Sequence, residues 1–213
     1  MSFLSTRIGA LLSLAIAFAF VFNPYTKFPF TMIVVIAVVF LITYLQYNNF
    51  RVLGLKKFTF KDFAIVLILF ACIELTMDFL VQPELSILFN EPADYSAFSF
   101  LEGKSAQYFK YLGFMWISAA IGEELLFRAF SILQLEKIVG KNPWINVPIS
   151  ALLFALPHYS QGPTGIAVTF IFGLAFAAIY VKWRNIWINI LVHGLVDTFF
   201  LTLAYFGMLS YFG

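Results

Sequence analysis

Seven apolar stretches, at residues 8–22, 28–45, 63–81, 109–127, 145–156, 164–181 and 186–206, take up most of this chain. A helix that crosses a hydrocarbon layer needs roughly 20 apolar residues, and these stretches reach or approach that length. Lipid offers no water to an open backbone, so each crossing must be a helix or part of a closed barrel. The short alternating strands of a barrel are missing from the pattern. The expected fold is therefore an all-α integral membrane protein of about seven transmembrane helices, between six and eight. Of the 213 residues, 62% are hydrophobic and 11% charged, against roughly 25% charged in a soluble domain. Seven spans leave no room for a soluble unit, so residues 1–213 read as a single transmembrane domain.

The charges between the stretches give an orientation. With the N-terminus in the cytoplasm, the inside regions hold Arg7, Arg51, Lys56, Lys57, Lys61, Arg128, Lys137, Lys141, Lys182 and Arg184. That is 10 of the 13 lysines and arginines, and only Lys27, Lys104 and Lys110 fall outside. This is the bias of the positive-inside rule. It requires the first stretch to be a retained span and not a cleaved leader. The longest connection, 82–108, is then external, a loop with one short interfacial helix. The short polar regions fit a multi-pass protein of a bacterial cell membrane. A net charge of +2 and the lack of a basic run with interleaved aromatics exclude nucleic-acid binding. Cys72, the only cysteine, rules out an intrachain disulfide and a cysteine-type zinc site.

Against this background a few polar residues stand out. An ionisable group in a span costs about 2.5–3.5 kcal/mol on insertion scales and asks for a reason. Glu123 and Glu124 lie inside the fourth stretch, on a helix expected to run from about Gln107 toward Glu136. Glu124 and Arg128 are four apart and can pair, and a bracing ion pair is the favoured reading for them. Glu123 is rotated by about 100° and has no basic residue at helical spacing on its C-terminal side, so it stays free. Phe154 and His158 also share a face, with Pro157 expected to kink or end their helix and Pro148 expected to be its start. His193 and Asp197 are four apart in the last stretch. Three helices thus carry a glutamate, a histidine and a His/Asp pair at mid-membrane depth, and a shared intramembrane polar cavity accounts for all of them. Glu74 and Asp78, near the expected external end of the third stretch, read as interfacial.

The three motifs Glu123-Glu124-x-x-x-Arg128, Phe154-x-x-x-His158 and His193-x-x-x-Asp197 resemble, in order, those of the CAAX protease and bacteriocin-processing family. These are the type II CAAX prenyl endopeptidases, also called the Abi family. The resemblance covers the motif-bearing core at about 107–205. It implies a helical intramembrane protease with a conical cavity and no obligatory metal. It implies that Glu123 and His158 hold and activate a water. His193 and Asp197 would orient the scissile carbonyl or stabilise its oxyanion, with Glu124, Arg128 and Phe154 in support. The family's last position is often asparagine; Asp197 cannot donate a hydrogen bond unless protonated, so its role stays open between oxyanion donor and orienter of His193.

The residues themselves favour hydrolysis by water, since no good serine or cysteine nucleophile stands beside the histidines. The implied partners are a peptide or membrane-protein substrate and the lipid bilayer. No cofactor is expected to be required. Zinc is the alternative, because two histidines and a glutamate are adequate ligands, although the His-Glu-x-x-His helix is missing. The competing functional class is a non-catalytic bacteriocin-immunity or peptide- or lipid-binding membrane protein. A transporter would show paired repeats with broken helices, and none are visible.

Overall fold

Short polar residues set the helix ends. Thr6 accepts a hydrogen bond from the Gly9 amide, and Thr59 forms a reciprocal capping box with Asp62. Asn142 and Asn185 cap with their side chains the helices that open at Pro143 and Ile186. Each supplies an acceptor to an amide that the helix itself cannot satisfy. Asn48 and Arg184 close their helices in the left-handed conformation.

The computed structural model describes residues 3–212. Among the described residues seven helices follow one another. They are α1 (Arg7–Val21), α2 (Phe30–Tyr47), α3 (Phe60–Phe89), α4 (105–139), α5 (Pro143–Ala155), α6 (Gly162–Trp183) and α7 (Ile186–Tyr205). They coincide with the seven apolar stretches. Four stretches meet both the length and the hydropathy of a membrane span: α2, α3, α7, and Pro143–Trp183, which is the α5–α6 pair. Large apolar side chains such as Phe60, Phe79, Ile87 and Trp144 point outward, as a lipid-facing surface requires.

α5 and α6 pack along their length. A Cβ on Gly173 would stand 2.9 Å from the Ala151 Cα, so only glycine permits this approach. α4 runs through the middle, against α1, α2, α5 and α7, while α3 packs on α7. From Trp116 to Phe130, α4 has the wide π-helical winding, an arrangement found mostly at functional sites. At one end of the bundle, Gln46 bonds Leu4 O, Ser13 and Gln134, and Lys137 donates to it. At the other end the 90–104 connection is tied down: the Asp94 amide donates to Gln161 O, and the Gly103 amide to Tyr205 O.

Three sequence expectations are corrected. The third stretch does not end near residue 81. A π turn over Met77–Val81 shifts the hydrogen-bond register, which absorbs the amide that Pro83 lacks, and the helix continues to Phe89. The loop that follows is accordingly shorter, and its helical piece is a 3-10 turn, Ser96–Leu101. α5 starts at Pro143, with Pro148 inside it, because Asn142 supplies the better cap. Arg128, assigned to an inside loop, is fully buried in α4; the charge asymmetry survives without it.

Candidate active site

The wide winding of α4 turns Glu123 and Glu124 to different surroundings. Glu124 is fully buried. Its Oε1 lies 3.2 Å from Arg128 Nη1 and accepts from His193 Nδ1 at 2.9 Å. Its Oε2 accepts from Asn189 Nδ2 at 3.0 Å. Arg128, also fully buried, places its guanidinium 3.9 Å from the Phe154 ring centroid and 5.1 Å from that of Phe176. The charge is therefore met by one carboxylate and two ring faces, which attract cations. Glu124–Arg128 is the bracing pair read from the four-residue spacing, and it also anchors a histidine. Glu123 is half-buried and makes no hydrogen bond or ion pair among the described residues.

Pro157 ends α5 as expected, and the chain tightens into a 3-10 turn, Leu156–Gln161. His158 lies on this turn. Its Nδ1 is 3.0 Å from Phe154 O. A carbonyl can only accept, so Nδ1 carries a proton, and in the neutral ring Nε2 keeps its lone pair. On α7, Asn189, His193 and Asp197 follow at four-residue spacing and share a face. His193 stacks on Phe176 with ring centroids 5.0 Å apart. Its Nδ1 donates to Glu124, and its Nε2 faces Asp197 Oδ1 across 3.7 Å, beyond hydrogen-bond range. The fixed Nδ1–H···carboxylate bond orients the ring and leaves Nε2 as the reactive edge.

Glu123, His158, His193 and Asp197 all line one cavity of about 450 Å³. Four predicted residues, from α4, α7 and the turn after α5, are thus brought to a single space. Phe154 forms part of its wall, whereas Glu124 and Arg128 lie behind it. Residues 105–199 match the family model of the Rce1-like type II CAAX prenyl endopeptidases. This stretch of the chain is similar to the Rce1-like family. The match spans all three motifs, so the resemblance read from them holds, and the family is one of membrane proteases. No curated protein and no solved structure matches the chain.

The Rce1-like stretch does not supply the whole cavity. α3, outside it, contributes Glu74, Asp78 and Gln82. Glu74 and Asp78, read as interfacial, line the cavity, and Gln82, assigned to the external connection, lies within α3 and lines it too. Their spacing of four was the signal, hidden by the expected helix end. Asn189 was also missed, although it stands four residues before His193 in an apolar helix. Tyr95, from the connection after α3, donates its hydroxyl to Gln82 Oε1 at 3.3 Å. Burial pushes this phenol well above its ordinary range, so it remains a neutral donor. Among the described residues no three His, Cys, Asp or Glu side chains gather as a metal-holding group.

Proposed function

We propose that this chain is an intramembrane endopeptidase that cleaves membrane-associated peptides or proteins with a water activated by Glu123 and His158. One observation carries the reading: an unpartnered carboxylate, Glu123, and a histidine with a free Nε2, His158, line the same cavity. A water between them would donate to both acceptors. Glu123 would take one of its protons as the oxygen attacks the scissile carbonyl carbon. The carbonyl oxygen becomes an oxyanion, for which an N–H on His193 Nε2, or a protonated Asp197, is the donor available on α7. Collapse breaks the C–N bond, and Glu123 returns its proton to the leaving amine. The water is then divided between the new carboxyl and amine termini.

Glu124 has a different part. It holds His193 by Nδ1, so that only Nε2 meets the substrate. The hydrolysis is written without metal, and activity that survives complete chelation is the expected outcome. We place the N-terminus and the lysine-rich end in the cytoplasm, and the 90–104 connection on the far side of a bacterial cell membrane.

The deciding experiment compares cleavage of a membrane-presented peptide library by purified wild type, Glu123→Gln and His158→Ala, in detergent or lipid. Cleavage that is lost in both variants supports the proposal. A protein that binds peptides equally well as wild type and as Glu123→Gln, and cuts none, would be the immunity-type binder instead.

A further inference from the structure

The cavity has a second wall that the hydrolysis does not use. On α3, Glu74 and Asp78 stand four residues apart on the face that lines the cavity, and Asp78 Oδ1 accepts from Gln82 Nε2 at 3.1 Å. α3 packs directly on α7, which carries Asp197. Glu74 Oε1 and Asp197 Oδ2 are both inaccessible and have no hydrogen-bond partner. Buried acceptors in this position demand a donor. The only cation the lining can offer is a histidine, and His193 is already held by Glu124 and faces Asp197, not the α3 pair. The lining contains four carboxyl side chains, Glu74, Asp78, Glu123 and Asp197, and no lysine or arginine among the described residues. Arg128, a cation of α4, is buried behind the wall against Glu124. The surroundings are aromatic: Tyr95 and Phe98 meet Phe200 edge-on at 5.2 and 5.0 Å, and all three line the cavity. Carboxylates without a counter-ion among aromatic rings suit a ligand cation that carries N–H donors.

We propose that Glu74 and Asp78 form a cation subsite that takes a lysine or arginine side chain of the peptide substrate. This rests on the endopeptidase reading and adds to it a substrate class: apolar, membrane-associated segments with a basic residue close to the scissile bond. A bare basic side chain is costly in lipid. The subsite gives that side chain a place in the cavity that the bilayer does not, and so favours such segments over uniformly apolar ones. The basic residue also fixes the register of the peptide against Glu123 and His158.

The test uses the full chain in nanodiscs of neutral phosphatidylcholine, which keeps lysine from binding anionic lipid. Two synthetic peptide pools are randomised over apolar residues, one with a fixed central lysine and one with uncharged norleucine at the same place. Binding is measured to Glu123→Gln, in which cleavage is silent, and the readout is the affinity ratio between the pools. The lysine pool is expected to bind at least about tenfold tighter. The near-isosteric changes Glu74→Gln and Asp78→Asn, added together, are expected to bring the ratio close to one. A general loss of folded protein would lower both affinities and leave the ratio in place. A ratio near one before those changes, a ratio that survives them, or failure of both pools to bind would overturn the subsite. So would wild-type cleavage that falls equally for both pools in the α3 variants, the mark of carboxyls that serve water or protons. A lysine preference in binding without any wild-type cleavage would instead overturn the peptidase reading and leave the subsite standing. Cleavage with no lysine preference would do the reverse.

Discussion

His193 Nδ1 and Glu124 Oε1 stand 2.9 Å apart, and the same oxygen lies 3.2 Å from Arg128 Nη1. One carboxylate oxygen therefore joins the arginine on its own helix to the histidine of α7. It links two of the three sequence motifs, and the third enters through Phe154, whose ring lies under the Arg128 guanidinium. The two adjacent glutamates consequently do different things. Glu124 spends both its oxygens on protein partners, while Glu123 keeps its own for the cavity.

The two glutamates should separate in experiment. Glu124→Ala leaves a fully buried arginine with no carboxylate beside it, and removing one partner of a buried pair costs about 3–5 kcal/mol. Glu123→Gln removes no protein contact and is expected to unfold like wild type while losing peptide cleavage. Thermal unfolding in detergent, run beside the cleavage assay, checks both. Equal destabilisation by the two substitutions would contradict the division of roles.

Arg128 is expected not to tolerate lysine. Its planar guanidinium sits between the faces of Phe154 and Phe176, and a point-like ammonium cannot occupy that slot in the same way. Arg128→Lys should lose about 1–2 kcal/mol. Glu124→Gln combined with Arg128→Met removes both charges together, and should be more stable than Glu124→Gln alone. It should still be inactive, because His193 has lost its carboxylate.

The sequence made the motif helices legible and left part of the cavity hidden. Glu123, His158, His193 and Asp197 stood out because each interrupts an apolar stretch, and ionisable groups in lipid need a common reason. Glu74 and Asp78 interrupt such a stretch too. They were placed at an interface because the third stretch was expected to end near residue 81, and the π turn that carries the helix onward depends on backbone register and not on any residue signature. Asn189 was obscured differently: an amide side chain in a span is common glue between helices. Its bond to Glu124 joins residues 65 positions apart and exists only in the folded chain.

Asn189 is expected to act as a positioning residue. Its Nδ2 donates both to Glu124 Oε2 and to Phe176 O, at 3.0 and 2.8 Å, which fixes the carboxylate against the ring that stacks on His193. Asn189→Leu leaves Oε2 without its donor. The turnover number should fall about tenfold, while KM, set elsewhere in the cavity, changes little. Asn189→Gln, which keeps an amide donor, should restore part of the rate. A structural defect alone would reduce the amount of active protein and would not distinguish leucine from glutamine at matched folded fractions.

Gly194 offers a test of how closely α4 and α7 must approach. A Cβ there would come within 2.5 Å of the Trp116 ring, and Trp116 in turn donates from Nε1 to Thr198 at 3.1 Å. The residue next to His193 is thus small because an indole from the start of the π-wound segment fills the space. Gly194→Ala should force the helices apart and cost about 1–3 kcal/mol, with cleavage falling further than stability because His193 moves with the backbone. Trp116→Phe alone gives up the Thr198 bond but shortens the ring. The double variant should therefore be less destabilised than the sum of the two single changes, since residues in contact couple. Additive losses in unfolding would mean that the close approach of Gly194 and Trp116 does not govern the spacing of these helices.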